Sequence, residues 1–176
     1  MTKGEQALLV AGIGATATVL VAVIGALATY FSSKRDRRRV LYSNAVKAAV
    51  AWKEQLYRVR RRRAGDDVAA ALVQSFHELQ DELTYQQAWI GSESKYMGRS
   101  YDRLVRGVKT KTEPQITAAW AEEVRALPGN AVDGEVHPDI EALVEAFLKD
   151  VRAHLSPLFV RKIGVACRNT KSKVAK

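Results

Sequence analysis

The chain has 176 residues, of which 47% are hydrophobic, and a formal net charge of +9. This composition excludes a disordered chain, and the single cysteine, Cys167, excludes an internal disulfide framework and is typical of a reducing compartment. Residues 34–63 hold twelve Lys/Arg and two acids, whereas residues 64–176 hold fifteen Lys/Arg and sixteen acids. The basic character therefore belongs to one segment, and a high isoelectric point does not indicate nucleic acid binding by the whole domain.

The first element is an apolar segment from Ala7 to Phe31, with 25 residues and no charge. As a helix it would be about 37 Å long, which is enough to cross a hydrocarbon core of about 30 Å with some tilt. Five cations follow it, and basic residues beside a span stay on the cytoplasmic side. We therefore predict a single-pass inner-membrane protein with its N-terminus outside and its remaining residues in the cytoplasm. The predicted membrane flank consists of Lys34, Arg35, Arg37, Arg38 and Arg39.

Two other interpretations of this segment were weighed. Ala26–Ala28 has the small-x-small form of a signal cleavage site, but the apolar run exceeds the usual length and the following cations resist export. Gly12, Gly14 and Ala17 fit a dinucleotide-binding pattern, with Asp36 near the expected ribose-binding position. That fold needs a polar helix face and further parallel strands, and the sequence indicates neither. A membrane span is the favoured interpretation.

Small residues recur along the predicted span at steps of three or four. Such a ridge lets helix backbones approach closely in lipid, which is typical of self-association. Any helix this rich in Ala and Gly also shows such a ridge, so both interpretations stay open. The ridge consists of Ala11, Gly14, Thr18, Ala22, Gly25 and Thr29.

Beyond residue 33, apolar residues recur at three and four, which predicts helices throughout. The fold class is therefore all-α, with a transmembrane helix followed by a cytoplasmic bundle of four or five helices. We expect residues 1–33 to form the N-terminus and span, residues 34–166 the bundle, and residues 167–176 a disordered basic tail. The predicted helices cover about residues 35–63, 67–90, 94–108 and 138–155, and a short stretch starts at Pro157. Residues 109–114 are either a break or only a weak point, and Pro114 fits the first turn of a new helix.

The strongest local charge feature lies at the end of the first bundle helix: Arg58, Arg60, Arg61, Arg62 and Arg63. One interpretation is structural, because cations complement a helix C-terminus and two acids at the start of the next helix would pair with them. The others are binding of anionic lipid or of nucleic acid, the latter with stacking by Trp52 and Tyr57. Trp52 lies on the apolar stripe of its helix (Leu41, Ala45, Ala48, Trp52, Leu56, Val59), which favours a core position.

Lipid binding by these arginines depends on geometry. A straight helix would carry Arg62 about 44 Å beyond Ser33, whereas charge is screened over about 8 Å at physiological salt. The cluster would therefore reach lipid only if the helix bends at the membrane surface.

The sequence contains no motif for a phosphate-binding loop, a nucleophile elbow or a zinc protease. The three histidines, His77, His137 and His154, are far apart in sequence and have no repeated ligand spacing. We therefore predict a protein that is not an enzyme and has no cofactor and no metal. The predicted function is a scaffold, adaptor or regulator at the membrane inner face, with a protein partner or as a homo-oligomer. The alternative is a membrane-tethered binder of nucleic acid or anionic lipid through the arginine-rich helix.

Overall fold

The computed structural model describes the backbone of residues 3–122, 138–156 and 159–170, and the side chains of residues 19–122, 138–156 and 163–170. In these ranges the chain forms five α-helices and no strand. The predicted all-α class and helical bundle are confirmed. The helices are α1 (Lys3–Arg60), α2 (Asp66–Glu93), α3 (Lys95–Ala121), α4 (Glu141–Leu155) and α5 (Phe159–Thr170).

The chain divides into two compact units, Met1–Arg39 and Val40–Lys176. In the first unit, the large apolar side chains between Val19 and Phe31 are all exposed, by 50% to 70% of their surface. The predicted span begins at Ala7, and its side chains up to Thr18 lie outside the described residues. Over the part of the chain that is described, no helix is both long and apolar enough to cross a membrane. The predicted transmembrane helix is therefore not supported by the structure.

Helix α3 is the centre of the second unit. It packs against α2, α4 and α5, and its Tyr101 hydroxyl donates to the carbonyl oxygen of Ala45 in α1 at 3.2 Å. Tyr101 is fully buried, and burial followed by the charge of Glu82 raises the pKa of its hydroxyl above the ordinary value. The core thus lies around α3, which supplies nine buried positions: Met97, Ser100, Tyr101, Leu104, Val105, Val108, Thr112, Ile116 and Ala119.

The predicted apolar stripe of the first bundle helix faces this core. Ala45, Ala48, Trp52, Leu56 and Val59 are buried, and Leu41 is half-buried. The indole Nε1 of Trp52 donates to the Thr112 Oγ1 at 3.1 Å, so its polar atom has a partner inside the protein. Trp52 is consequently a core residue and presents no face on which a base can stack.

The link between α1 and α2 turns at Gly65, whose φ of 144° is a conformation that favours glycine. Gly65 precedes α2 without a side-chain cap, and Asp66 is the first helical residue. Asp66 is therefore not the N-cap residue of α2, although aspartate is common at that position.

Ser94 separates α2 from α3. Its extended backbone ends one helix, and its Oγ accepts a hydrogen bond from the Met97 backbone N–H at 3.4 Å, which caps the next helix. Beyond this turn the two helices approach closely, and a Cβ built on Gly98 would lie 2.9 Å from the Gly91 Cα. The absence of a side chain at Gly98 lets the helices pack at this short range.

The sequence leaves open whether residues 109–114 break the helix or only weaken it, and the structure shows no break there. Pro114 lies inside α3, which continues from Lys95 to Ala121. Proline removes one helical hydrogen bond and costs about 3 kcal/mol in a helix interior. Burial of Thr112 before the proline, and of Ile116 and Ala119 after it, keeps both segments on one helix.

Residues 167–170, where the predicted disordered tail begins, lie in helix α5. Helix α5 continues to Thr170, and Asn169 is fully buried. Its side-chain amide donates to the Val165 carbonyl oxygen at 2.8 Å, which supports the last turn of the helix. Residues 171–176 lie outside the described residues.

Candidate functional site

Arg62 has a structural role at the end of α3. Its Nη1 donates to the carbonyl oxygens of Val59 at 2.9 Å and Ala119 at 2.6 Å. Its Nη2 donates to those of Trp120 at 3.1 Å and Glu122 at 2.8 Å. The last carbonyls of a helix have no partner within the helix, and a cation there also complements the helix dipole. The guanidinium group lies 5.0 Å from the Trp120 ring centre and joins the ends of α1 and α3.

Arg58 and Arg60 contact neighbouring helices. The Arg58 Nη1 donates to the Ser75 Oγ at 3.2 Å, and the Arg60 Nη2 donates to the Gln115 Oε1 at 3.3 Å. The Ser75 hydroxyl is neutral, so its bond leaves the positive charge of Arg58 uncompensated. Arg58 is exposed, and Arg60 is half-buried between α1 and α3.

Arg61 and Arg63 are exposed, and the Arg61 guanidinium lies 6.0 Å from the Tyr57 ring centre. The sequence suggested Asp66 and Asp67 as their partners. Among the described residues, neither acid forms an ion pair with Arg61 or Arg63. Arg62 instead donates to backbone carbonyl oxygens, mainly at the end of α3.

A surface groove of about 590 Å³ lies where α1 ends and α2 begins. We call it the arginine groove. It combines a strongly basic edge with one acid and an apolar wall. Its lining consists of Glu54, Tyr57, Arg58, Arg61, Arg62, Arg63, Val68 and Leu72.

A second polar cluster surrounds Asp150 of α4, which is buried. Its carboxylate accepts hydrogen bonds from the Ser100 Oγ at 2.8 Å, the Asn169 Nδ2 at 3.2 Å, and the Arg168 Nε and Nη2 at 3.0 and 2.5 Å. Burial alone would raise the pKa of this carboxyl group, but hydrogen bonds from Arg168, Ser100 and Asn169 outweigh burial, and the pKa lies below its ordinary value. The carboxylate is therefore held ionised as the junction of α3, α4 and α5.

Arg99 and Arg103 of α3 complete this junction. The Arg103 Nη2 lies 3.6 Å from the Asp150 Oδ2 and also donates to the Asn169 Oδ1. The Arg99 Nη1 donates to the Asn169 backbone oxygen at 3.2 Å. Both oxygens of Asp150 accept hydrogen bonds, so this one carboxylate links side chains of α3 and α5 to α4.

The outward side of α2 carries acids and two exposed aromatic rings, and we call it the acidic–aromatic face. Tyr85 and Trp89 are exposed by 56% and 51%, and their ring centres lie 6.1 Å apart at an interplanar angle of 66°. Helix α2 contains six acids and no Lys or Arg. The exposed members of this face, which recur at helical spacing, are Asp67, Glu78, Asp81, Glu82, Tyr85, Trp89 and Glu93.

The sequence reasoning did not find this face, although its spacing contained the signal. Tyr85 and Trp89 are four residues apart and lie off the stripe of Leu79, Leu83 and Ile90. Two large aromatic residues beside acids, away from the buried stripe, indicate an exposed surface with a use beyond solubility.

The predicted membrane flank lies in the first unit. Lys34, Arg35, Arg37 and Arg39 are exposed, and Arg38 is half-exposed. The one acid among them, Asp36, lies 3.4 Å from the Arg39 Nη1. An exposed pair of this kind contributes little to stability, so the flank keeps its basic character.

The predicted ridge of small residues is described in its second half. Ala22, Gly25 and Thr29 are exposed, and a Cβ built on Gly25 meets no atom within 4 Å. The Thr29 hydroxyl donates to the Gly25 carbonyl oxygen at 2.9 Å, as expected for a helical threonine. The side chains of the other members, Ala11, Gly14 and Thr18, lie outside the described residues.

Among the described side chains, no group of three or more His, Cys, Asp or Glu residues is placed to hold a metal ion. Cys167 is a free, exposed thiol. No protein-family model, no curated protein and no solved structure matches the chain at a significant level.

Proposed function

We propose that this chain is a non-enzymatic, single-pass membrane protein that presents its helical bundle at the inner face of the membrane and docks a protein partner there. The proposed anchor is residues 7–31, which contain no charged residue. From Val19 onward its large apolar side chains are exposed on the helix, and each contributes about 1.5–3 kcal/mol when it is removed from water. The basic flank orients the bundle towards the cytoplasm.

The acidic–aromatic face of α2 is the observation that carries this proposal. Tyr and Trp are the residues that most often dominate the binding energy of protein interfaces. Tyr85 and Trp89 form an exposed pair on α2. The aromatic side chains of Tyr42, Tyr101 and Phe147, in contrast, are buried in the bundle core. A surface that exposes this pair supports a docking role for α2.

The charge of the face defines the chemistry of the partner. Because α2 has acids and no cations, the proposed partner is a protein segment rich in Lys or Arg. Its cations would lie against the faces of Tyr85 and Trp89 and beside the carboxylates. Such complementarity accelerates association and disfavours acidic partners.

Crosslinking in native membranes tests this proposal. The full chain would be compared with a variant that combines Tyr85→Ser and Trp89→Ser, and partners crosslinked through surface amines would be identified. We expect the double variant to lose a basic partner while its melting temperature stays within a few degrees of the parent. Val73→Ser is the matched control, because Val73 is exposed on another side of the same helix. Retention of every crosslinked partner by the double variant would contradict the proposal.

A further inference from the structure

We propose that the arginine groove binds a phosphate monoester, with the phosphate held by Arg58, Arg61 and Arg63. This site lies where α1 ends and α2 begins, whereas Tyr85 and Trp89 lie near the other end of α2, and it does not depend on the docking function. The charge of the groove, the position of Arg62 and the apolar wall support the proposal.

The charge of the groove is strongly unbalanced. Four arginines line it, and Glu54 is the one acid among its lining residues. Within the described part of the chain, Arg58 has a neutral hydroxyl partner, and no acid pairs with Arg61 or Arg63. Guanidinium groups bind phosphate oxygens through paired, charge-assisted hydrogen bonds, which makes a dianionic phosphate the ligand that best matches this edge.

Arg62 holds the backbone at the edge of the groove in place and is not one of the proposed phosphate ligands. Its two terminal nitrogens donate to four carbonyl oxygens, from Val59 and from the end of α3. These bonds hold the chain just beyond the last turn of α1, where Arg61 and Arg63 flank Arg62 in sequence. The two neighbours are thereby placed on the surface before any ligand arrives, which lowers the entropy cost of binding.

The remaining wall indicates an organic ester rather than a bare phosphate ion. Tyr57, Val68 and Leu72 line the groove beside the arginines. A volume of about 590 Å³ lies within the range of small-molecule sites. The ligand therefore has one phosphate group for the arginines and an apolar portion for Tyr57 and Leu72.

Two sources supply this chemistry: a soluble phosphate ester and the head group of an anionic lipid. The full chain in neutral detergent would be titrated with inorganic phosphate and with phenyl phosphate by calorimetry. In a second arm, the full chain would be reconstituted into vesicles of phosphatidylcholine alone or of phosphatidylcholine with phosphatidic acid, and protection of the groove from proteolysis would be measured. A single-stranded RNA would be titrated in parallel.

The informative variant combines Arg61→Gln with Arg63→Gln, since both side chains are exposed and their loss leaves the core intact. Its matched control combines Lys95→Gln with Arg152→Gln, which removes the same charge from exposed positions outside the groove lining. Each lost guanidinium contact should weaken phosphate-ester binding about tenfold.

We expect phenyl phosphate to bind more tightly than inorganic phosphate, and the groove variant to bind it about a hundredfold more weakly than the control. Protection by phosphatidic acid that this variant loses would assign the lipid as the source, and binding of phenyl phosphate without such protection would assign a soluble ester. Equal affinity of the groove variant and the control would overturn the proposal. Binding of RNA alone, with no binding of either phosphate probe, would overturn it as well.

Discussion

The Arg62 Nη1 donates to the carbonyl oxygen of Ala119 at 2.6 Å, across 57 positions of sequence. This bond joins the segment just after α1 to the last turn of α3. Together with the Trp120 and Glu122 carbonyl partners, it supplies the C-terminal capping that the end of α3 lacks within its own helix.

Replacing Arg62 should therefore destabilise the bundle, unlike replacing its neighbour. We expect Arg62→Ala to lower the free energy of unfolding by about 2 kcal/mol, because half-buried carbonyl oxygens lose a charged donor. Arg63→Ala is the control and should change it by less than about 0.5 kcal/mol, since Arg63 is exposed. Urea unfolding of both variants of the full chain, in neutral detergent, measures the difference. Equal losses would show that the cluster acts through its total charge.

The close approach of α2 and α3 predicts opposite effects at two glycines. Gly98→Ala should lower the free energy of unfolding by about 1–3 kcal/mol. The new Cβ would lie 2.9 Å from the Gly91 Cα, a backbone atom that cannot move aside as a side chain can. Gly91→Ala should be neutral or stabilise by up to about 1 kcal/mol, because a Cβ there meets nothing within 4 Å and alanine favours the helix. Thermal unfolding of the two variants checks the sign of each change. A stabilised Gly98→Ala variant would be inconsistent with the packing described.

Asp150 should make stability depend on acid pH. Its folded pKa lies below the unfolded value, so its contribution is present above the unfolded pKa of about 3.9 and is lost as the pH falls through the folded pKa. We expect Asp150→Asn to be less stable than the parent at neutral pH and to lose less stability between pH 5 and pH 2. Asp81→Asn is the control, because Asp81 is exposed on α2. Parallel acid profiles for the parent and Asp150→Asn would contradict the role assigned to this carboxylate.

Cys167 reports the orientation of the proposed anchor. It is exposed and the chain has no other cysteine. If the bundle lies in the cytoplasm, a membrane-impermeant maleimide should label Cys167 in lysed cells and leave it unlabelled in intact cells. A chain with Thr2→Cys and Cys167→Ser should be labelled in intact cells as well as in lysed cells. Labelling of Cys167 in intact cells would contradict the proposed orientation.

The helices were predictable because their apolar residues recur at helical spacing. The stripe from Leu41 to Val59 faces the core as its period indicates, and Ser94 marks the break between α2 and α3. The sequence alone could not decide whether Pro114 begins a new helix, because its local cost is offset by burial of Thr112 and Ile116, which no local pattern reveals.

The sites were predictable only in part, because their geometry depends on residues that are distant in sequence. The cluster of arginines was visible, but the capping role of Arg62 depends on the end of α3. The junction at Asp150 depends on residues of α3 and α5. The basic composition of the last residues predicts a disordered tail, and only the structure shows that Asn169 is buried.

Membrane extraction tests the proposed anchor most directly. Cells expressing the full chain would be lysed without detergent, and the membranes washed at alkaline pH and sedimented, which removes proteins held by charge alone. We predict that the chain stays in the pellet and enters the supernatant after detergent is added. Recovery of the full chain in the supernatant before detergent would contradict the account.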